Sequence, residues 1–104
     1  MSCGGLNQFL TPNVPGFNGD GAPLDTSTLT AAKTVYLSGK FLGRYTILGS
    51  HNGVNYVPIV SFDGGGGPQE IKQDIEATLS SMVVRRNANQ TVVINITAQK
   101  VCSC

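Results

Sequence analysis

Few side chains in this sequence could do chemistry. The one histidine, His51, lies in the stretch Gly49-Ser50-His51-Asn52-Gly53, and Asp63 or Asp74 could serve it as a carboxylate partner. General acid–base catalysis needs such a pair on a rigid frame. It also needs something to activate, and there is no Gly-x-Ser-x-Gly elbow and no cysteine beside a histidine in a recognisable motif. His51 therefore reads as a turn residue, and neither catalytic residues nor an enzyme activity are expected.

Two glycine-rich stretches invite ligand readings and do not sustain them. Asp63-Gly64-Gly65-Gly66-Gly67-Pro68-Gln69-Glu70 lacks the Lys-Ser/Thr that follows the glycines of a phosphate loop. It reads instead as a flexible or tightly turning connection between strands. Asn18 to Asp25 resembles part of a calcium loop but lacks the remaining oxygen ligands and the closing glutamate. The three cysteines, Cys3, Cys102 and Cys104, stand at the two chain ends. An odd count is a poor disulfide framework, so free thiols in a reducing compartment are one reading. The other is that the ends meet, within one subunit or between two, with Cys3 as the partner of Cys102 or Cys104. Zinc held by these cysteines and His51 does not fit the common ligand spacings. No metal and no cofactor are expected. Arg85 and Arg86 are adjacent, so on a strand they point to opposite faces. One can cover the sheet or pair with a carboxylate, leaving the other for solvent or a partner.

The elements that must carry these residues are strands. The chain has 104 residues, enough for one domain with one core. Charged residues make up 12 % of it and the net charge is +1, which leaves no basic stripe for nucleic acid. No run approaches the ~20 apolar residues of a membrane-spanning helix, and Met1 to Leu10 lacks the pattern of a secretory signal. Synthesis in a host cytoplasm is therefore expected. Thirteen glycines among many Thr, Asn, Ser and Val suit turns and strands better than helices.

Residues 1–32 carry three of the five prolines, and their apolar side chains stand singly: Leu6, Phe9, Leu10, Val14, Phe17 and Leu24. No period runs through them. This predicts an irregular N-terminal arm whose apolar anchors dock either on a neighbouring subunit or on its own domain. Residues 33–104 read as a β-domain. Val35 and Leu37, then Tyr45 and Ile47, then Val92, Ile94 and Ile96 alternate as inward positions, with Ile59 joining that core. Pro58 places its strand at an edge or on a bulge. Between Pro68 and Arg86, two strands bent near Ala77 and Thr78 are favoured over a helix followed by a strand.

The run from Tyr36 to Phe62, followed by Ser80-Ser81-Met82-Val83-Val84-Arg85-Arg86 and by Thr91 to Gln99, resembles a β-sandwich pattern of small virion proteins and fibre segments of tailed phages. The turn Ser50-His51-Asn52-Gly53 is also similar to the Ser-x-Asp-Gly turn of discoidin-type jelly-roll modules, with Tyr56 where tryptophan is common. The turn chemistry is local: Asn52-Gly53 tolerates the positive φ of a tight hairpin and Ser50 can cap it. The resemblance implies an all-β, jelly-roll-like antiparallel sandwich and a structural virion protein. Specifically, it implies a capsid decoration or cement protein that meets a major capsid protein or other virion subunits and forms a homo-oligomer. The alternative it leaves is a carbohydrate- or surface-binding module.

Overall fold

The computed structural model describes residues 7–100. Leu6, Cys3, Cys102 and Cys104 lie outside them. The described chain is all strand and loop: β1 (Asn7–Leu10), β2 (Gly19–Asp20), β3 (Leu24–Asp25), β4 (Leu29–Ser50), β5 (Val57–Glu76), β6 (Ser81–Ala88) and β7 (Val93–Lys100). All pairings are antiparallel.

The organising element is the 22-residue β4. One of its sides pairs with β5 almost throughout, from Ala32 opposite Glu76 to Gly49 opposite Val57. Its other side is shared. The first half pairs with β7, Val35 opposite Ile96 and Leu37 opposite Ile94, and the second half with β6, Tyr45 opposite Arg86 and Ile47 opposite Val84. β1 lies outside β7, while β2 and β3 lie along the outer side of β6. The sheet curls so that its two halves form the layers of a sandwich, within an envelope of 49 × 28 × 19 Å. That thickness suits two layers about 10 Å apart with their side chains.

Alternation decides what goes inside. Val35, Leu37, Phe41, Tyr45 and Ile47 on β4 are fully buried, and Met82, Val84, Ile94 and Ile96 meet them from the shorter strands. The expected core is present, except that Ile59 is only half-buried. Ile59 is an extra residue on β5, because Ile47 pairs with Val60 while Leu48 pairs with Pro58. The expectation of an edge or a bulge at Pro58 is met by both at once.

The sheet turns at a second bulge. Lys40 pairs with Pro68 and Leu42 with Gly65, so Phe41 alone opposes Gly66 and Gly67. Two residues against one bend the strand and increase its twist. The four-glycine run is therefore the interior of β5 and not a connection between strands. Phe41 fills the inside of the bend and stacks edge-on against Tyr45, with ring centroids 5.0 Å apart at 82°.

The reading of the N-terminal arm needs amending. Residues 7–32 are largely irregular, but β1, β2 and β3 stitch them into the sheet, and β4 begins at Leu29 rather than Lys33. Pro12, Pro15 and Thr26 are buried, and the Thr26 hydroxyl donates to the Leu79 carbonyl at 2.9 Å. Between Pro68 and Arg86 the two-strand reading holds, with the break at residues 77–80.

Candidate docking surface

The polar groups singled out from the sequence are mostly engaged in holding the fold. Asp63 accepts from Arg44 Nε at 2.7 Å and Asp74 from the Thr34 hydroxyl at 2.9 Å, so neither is oriented by His51, which is exposed in the loop after β4. Within the calcium-like stretch, Asp20 pairs with Arg85 at 2.7 Å, and this contact holds the Asp20 carboxyl below its ordinary value. Asp25 accepts from the Ser27 hydroxyl at 2.6 Å and the Ser27 amide at 2.9 Å, which lowers it likewise. Among the described residues no three metal-ligating side chains cluster. The cysteine ligands imagined with His51 lie outside those residues. The flanking pair Asn7 and Gln99 sits at the opposite end of β4 from His51.

The turn after β4 is a side-chain-capped loop, wider than a two-residue hairpin. Ser50 Oγ accepts from the Gly53 amide at 2.9 Å, while Asn52 Oδ1 accepts from the amides of Val54 and Asn55 at 2.8 and 3.0 Å. Only Gly53 has positive φ there, so Asn52 acts through its side chain rather than its backbone. Ser50, Asn52 and Gly53 are thus structural.

Arg85 and Arg86 point to opposite faces as expected, but the second is not free for solvent. Arg86 is turned inward and 9 % exposed, and its Nε donates to the Ala88 carbonyl at 3.1 Å. Its Nη1 finds no hydrogen-bond partner among the described residues. Burial pushes the neighbouring Tyr45 hydroxyl up, against a smaller opposing effect of the Arg86 charge. Lys33 is a second inward cation that the sequence did not flag. Its Nζ donates to the carbonyls of Ala77 at 2.6 Å and Ala31 at 3.0 Å, and desolvation lowers its pKa.

What remains for a partner is surface. The expected docking residues separate into two kinds. Leu10 and Val14 are half-buried and pack against the core, whereas Phe9 and Phe17 are 73 % and 74 % exposed. Phe9 stands on the outer face of the first layer, beside Thr97 and Thr34. Tyr36 and Val93 stand on the same face, in neighbouring rows opposite Asn95 and Ser38. Towards the β5 edge this face carries Glu70, Lys72 and Asp74 opposite Ser38, Tyr36 and Thr34. A shallow depression of about 460 Å³ opens there, lined by Tyr36, Leu37, Ser38, Glu70, Ile71 and Lys72. Of the tyrosines named with the binding-module alternative, Tyr36 is exposed, Tyr45 is buried and Tyr56 is half-buried with its hydroxyl 2.9 Å from Ser81 Oγ. No helix long and apolar enough to cross a membrane occurs among the described residues.

No protein-family profile and no curated protein sequence matches the chain. Among solved structures, the SPBc2 prophage-derived protein YomS aligns at a TM-score of 0.66 and 11 % identity. The alignment covers 89 % of this chain and 92 % of that one. A structure described as Bacillus endospore appendages, a novel family of disulfide-linked pili, aligns at a TM-score of 0.45 and 10 % identity, over 94 % of this chain and 85 % of the other. Neither is described as a discoidin-type module. The chain shares its all-β sandwich fold with the prophage-derived protein over nearly the full length of both.

Proposed function

We propose that this chain is a structural subunit of a tailed-phage particle, and specifically a decoration protein that docks on the capsid shell. The observation that carries the reading is the placement of Phe9 and Phe17, two exposed aromatic anchors on an edge segment, in a sandwich folded like a prophage-derived protein. The charged side chains with ion-pair partners are spent on crossing between strands, Arg44 to Asp63 and Arg85 to Asp20. A group of apolar side chains on one exposed face, unlike a single one, marks a surface that a partner covers, and Phe9 shares its outer face with Tyr36 and Val93. The major capsid protein or another virion subunit is that partner in this proposal.

Particles purified after prophage induction of the source strain, analysed by mass spectrometry and electron microscopy, test it. The chain should be a stoichiometric component on the outer surface of heads. The double substitution Phe9→Ser and Phe17→Ser should leave a folded protein that no longer joins particles. Absence from purified particles would overturn the assignment, and full occupancy by the double variant would overturn the docking residues.

A further inference from the structure

We infer that two copies of this chain associate through the β5 edge, antiparallel and centred on Ile71, to make one continuous sheet across the pair. β5 pairs only with β4 among the described residues, so its other side presents unpaired backbone groups along a long strand. Such an edge is a template for another strand unless it is blocked. Its first part is blocked: Pro58, the bulge at Ile59, the bulge at Gly66 and Gly67, and Pro68 each interrupt regular pairing. From Gln69 to Glu76 there is no proline, and pairing to β4 is regular from Ala32 opposite Glu76 to Gly39 opposite Gln69.

The sequence of that open part is complementary to itself. Gln69-Glu70-Ile71-Lys72-Gln73 reads the same in charge-paired form from either end. With a twofold axis at Ile71, antiparallel pairing sets Ile71 against Ile71, Glu70 of each copy against Lys72 of the other, and Gln69 against Gln73. Opposite charges directly across a strand pair are favourable, and like charges are unfavourable. Glu70 and Lys72 are both exposed and neither is in an ion pair within the described chain, so both are available. Ile71 lies at the margin of the core, half-buried, beside the depression lined by Tyr36, Glu70 and Lys72. A second Ile71 there extends the core across the junction. Twofold pairing of one patch with itself is the commonest way that identical chains associate. A single strand pair buries little surface, so the dimer belongs to the weak class.

Sedimentation equilibrium at concentrations up to about 1 mM covers that class of affinity. The wild-type chain should show a monomer–dimer equilibrium. Glu70→Lys and Lys72→Glu should each weaken it about tenfold or more, because two symmetry-related pairs turn from attractive to repulsive. The register makes a sharper demand on mixtures. When the two single variants are mixed, Lys at 70 and 72 of one copy faces Glu at 72 and 70 of the other, so a heterodimer should form at least as tightly as wild type. The reversal of both charges in one chain should also restore the homodimer. Both positions are exposed, and unchanged thermal unfolding of each variant separates lost association from lost folding. A wild type that stays monomeric, single variants that dimerise like wild type, or a mixture that stays monomeric would each overturn the inference. None of these outcomes depends on whether the chain is found in phage particles.

Discussion

Alanine substitutions along Gly64 to Gly67 separate a built bend from a flexible linker. At Gly64 a Cβ would fall 2.5 Å from Phe41 Cδ2, Phe41 Cε2 and the Phe41 carbonyl oxygen. To restore even the 3.4 Å of ordinary contact, the Phe41 backbone would have to shift by about 0.9 Å (3.4 − 2.5). Phe41 is fully buried against Tyr45, so its ring cannot swing aside. Overpacking of this kind costs about 1–3 kcal/mol, and the backbone clash puts Gly64→Ala at the top of that range. Gly66 has φ +98°, so Gly66→Ala should cost about 1–2 kcal/mol through backbone strain alone. Gly65 and Gly67 have nothing within 4 Å of an added Cβ. There, restricting the unfolded chain should stabilise by about 0.4–1 kcal/mol. Urea unfolding followed by circular dichroism measures all four, since the chain has no tryptophan to report. Four values within about 0.5 kcal/mol of one another would refute the bend, because a slack connection treats its glycines alike.

Three further outcomes are expected. Ile94→Ala removes a fully buried side chain opposite Leu37 and should cost about 2–5 kcal/mol in the same assay; a loss under about 0.5 kcal/mol would contradict the inward face of β7. Lys33 has a lowered folded-state pKa, so the unfolded chain binds its proton more tightly. Stability should therefore rise as pH climbs from the folded value towards the ordinary lysine value, and Lys33→Met should abolish that rise, whereas an unchanged pH profile in the variant would exclude Lys33 as its source. Asn7 pairs with Gln99, so the described chain begins and ends side by side, while Cys3, Cys102 and Cys104 lie outside the described residues. Under oxidising conditions a bond from Cys3 to one of the other two is expected, stabilising by up to about 4–5 kcal/mol if it closes within one chain. Non-reducing electrophoresis with thiol counting distinguishes this from three free thiols, which would exclude it.

Local alternation was enough to read the strands but not their continuity. Val35 and Leu37, Tyr45 and Ile47, and Ile94 and Ile96 declare their inward faces by period two, and Pro58 declares its edge. Gly39 and Gly43 look like breaks between two strands, as does the four-glycine run. Here they let one strand pass from layer to layer, which is decided by what lies across the bend and not by neighbours in sequence. Phe41 is the residue this hides: a lone aromatic among glycines, it is the plug of the curve. Arg86 and Lys33 were missed as buried cations because their carbonyl partners, Ala88, Ala31 and Ala77, carry no signal in their side chains. On the docking surface, composition flagged Phe9 and Phe17 together with Leu10 and Val14. Only the pairing of β1 with β7 tells that Phe9, opposite Thr97, faces outward while Leu10, opposite Ile96, turns towards the core.

The pairing of the first described strand with the last also sets the order of events during synthesis. Asn7 and Gln99 are about ninety residues apart along the chain, and the first half of β4 must wait for Val93–Lys100 before its second side is covered. Until those residues leave the ribosome, Val35 and Leu37 have no β7 to lie against, however long ago they were made. Contacts this distant must overcome loop closure before they reward it, so folding belongs to the millisecond-to-second class of β-sandwiches. A nascent chain stalled before Val93 should thus be captured readily by chaperones, with its half-built layer open to water.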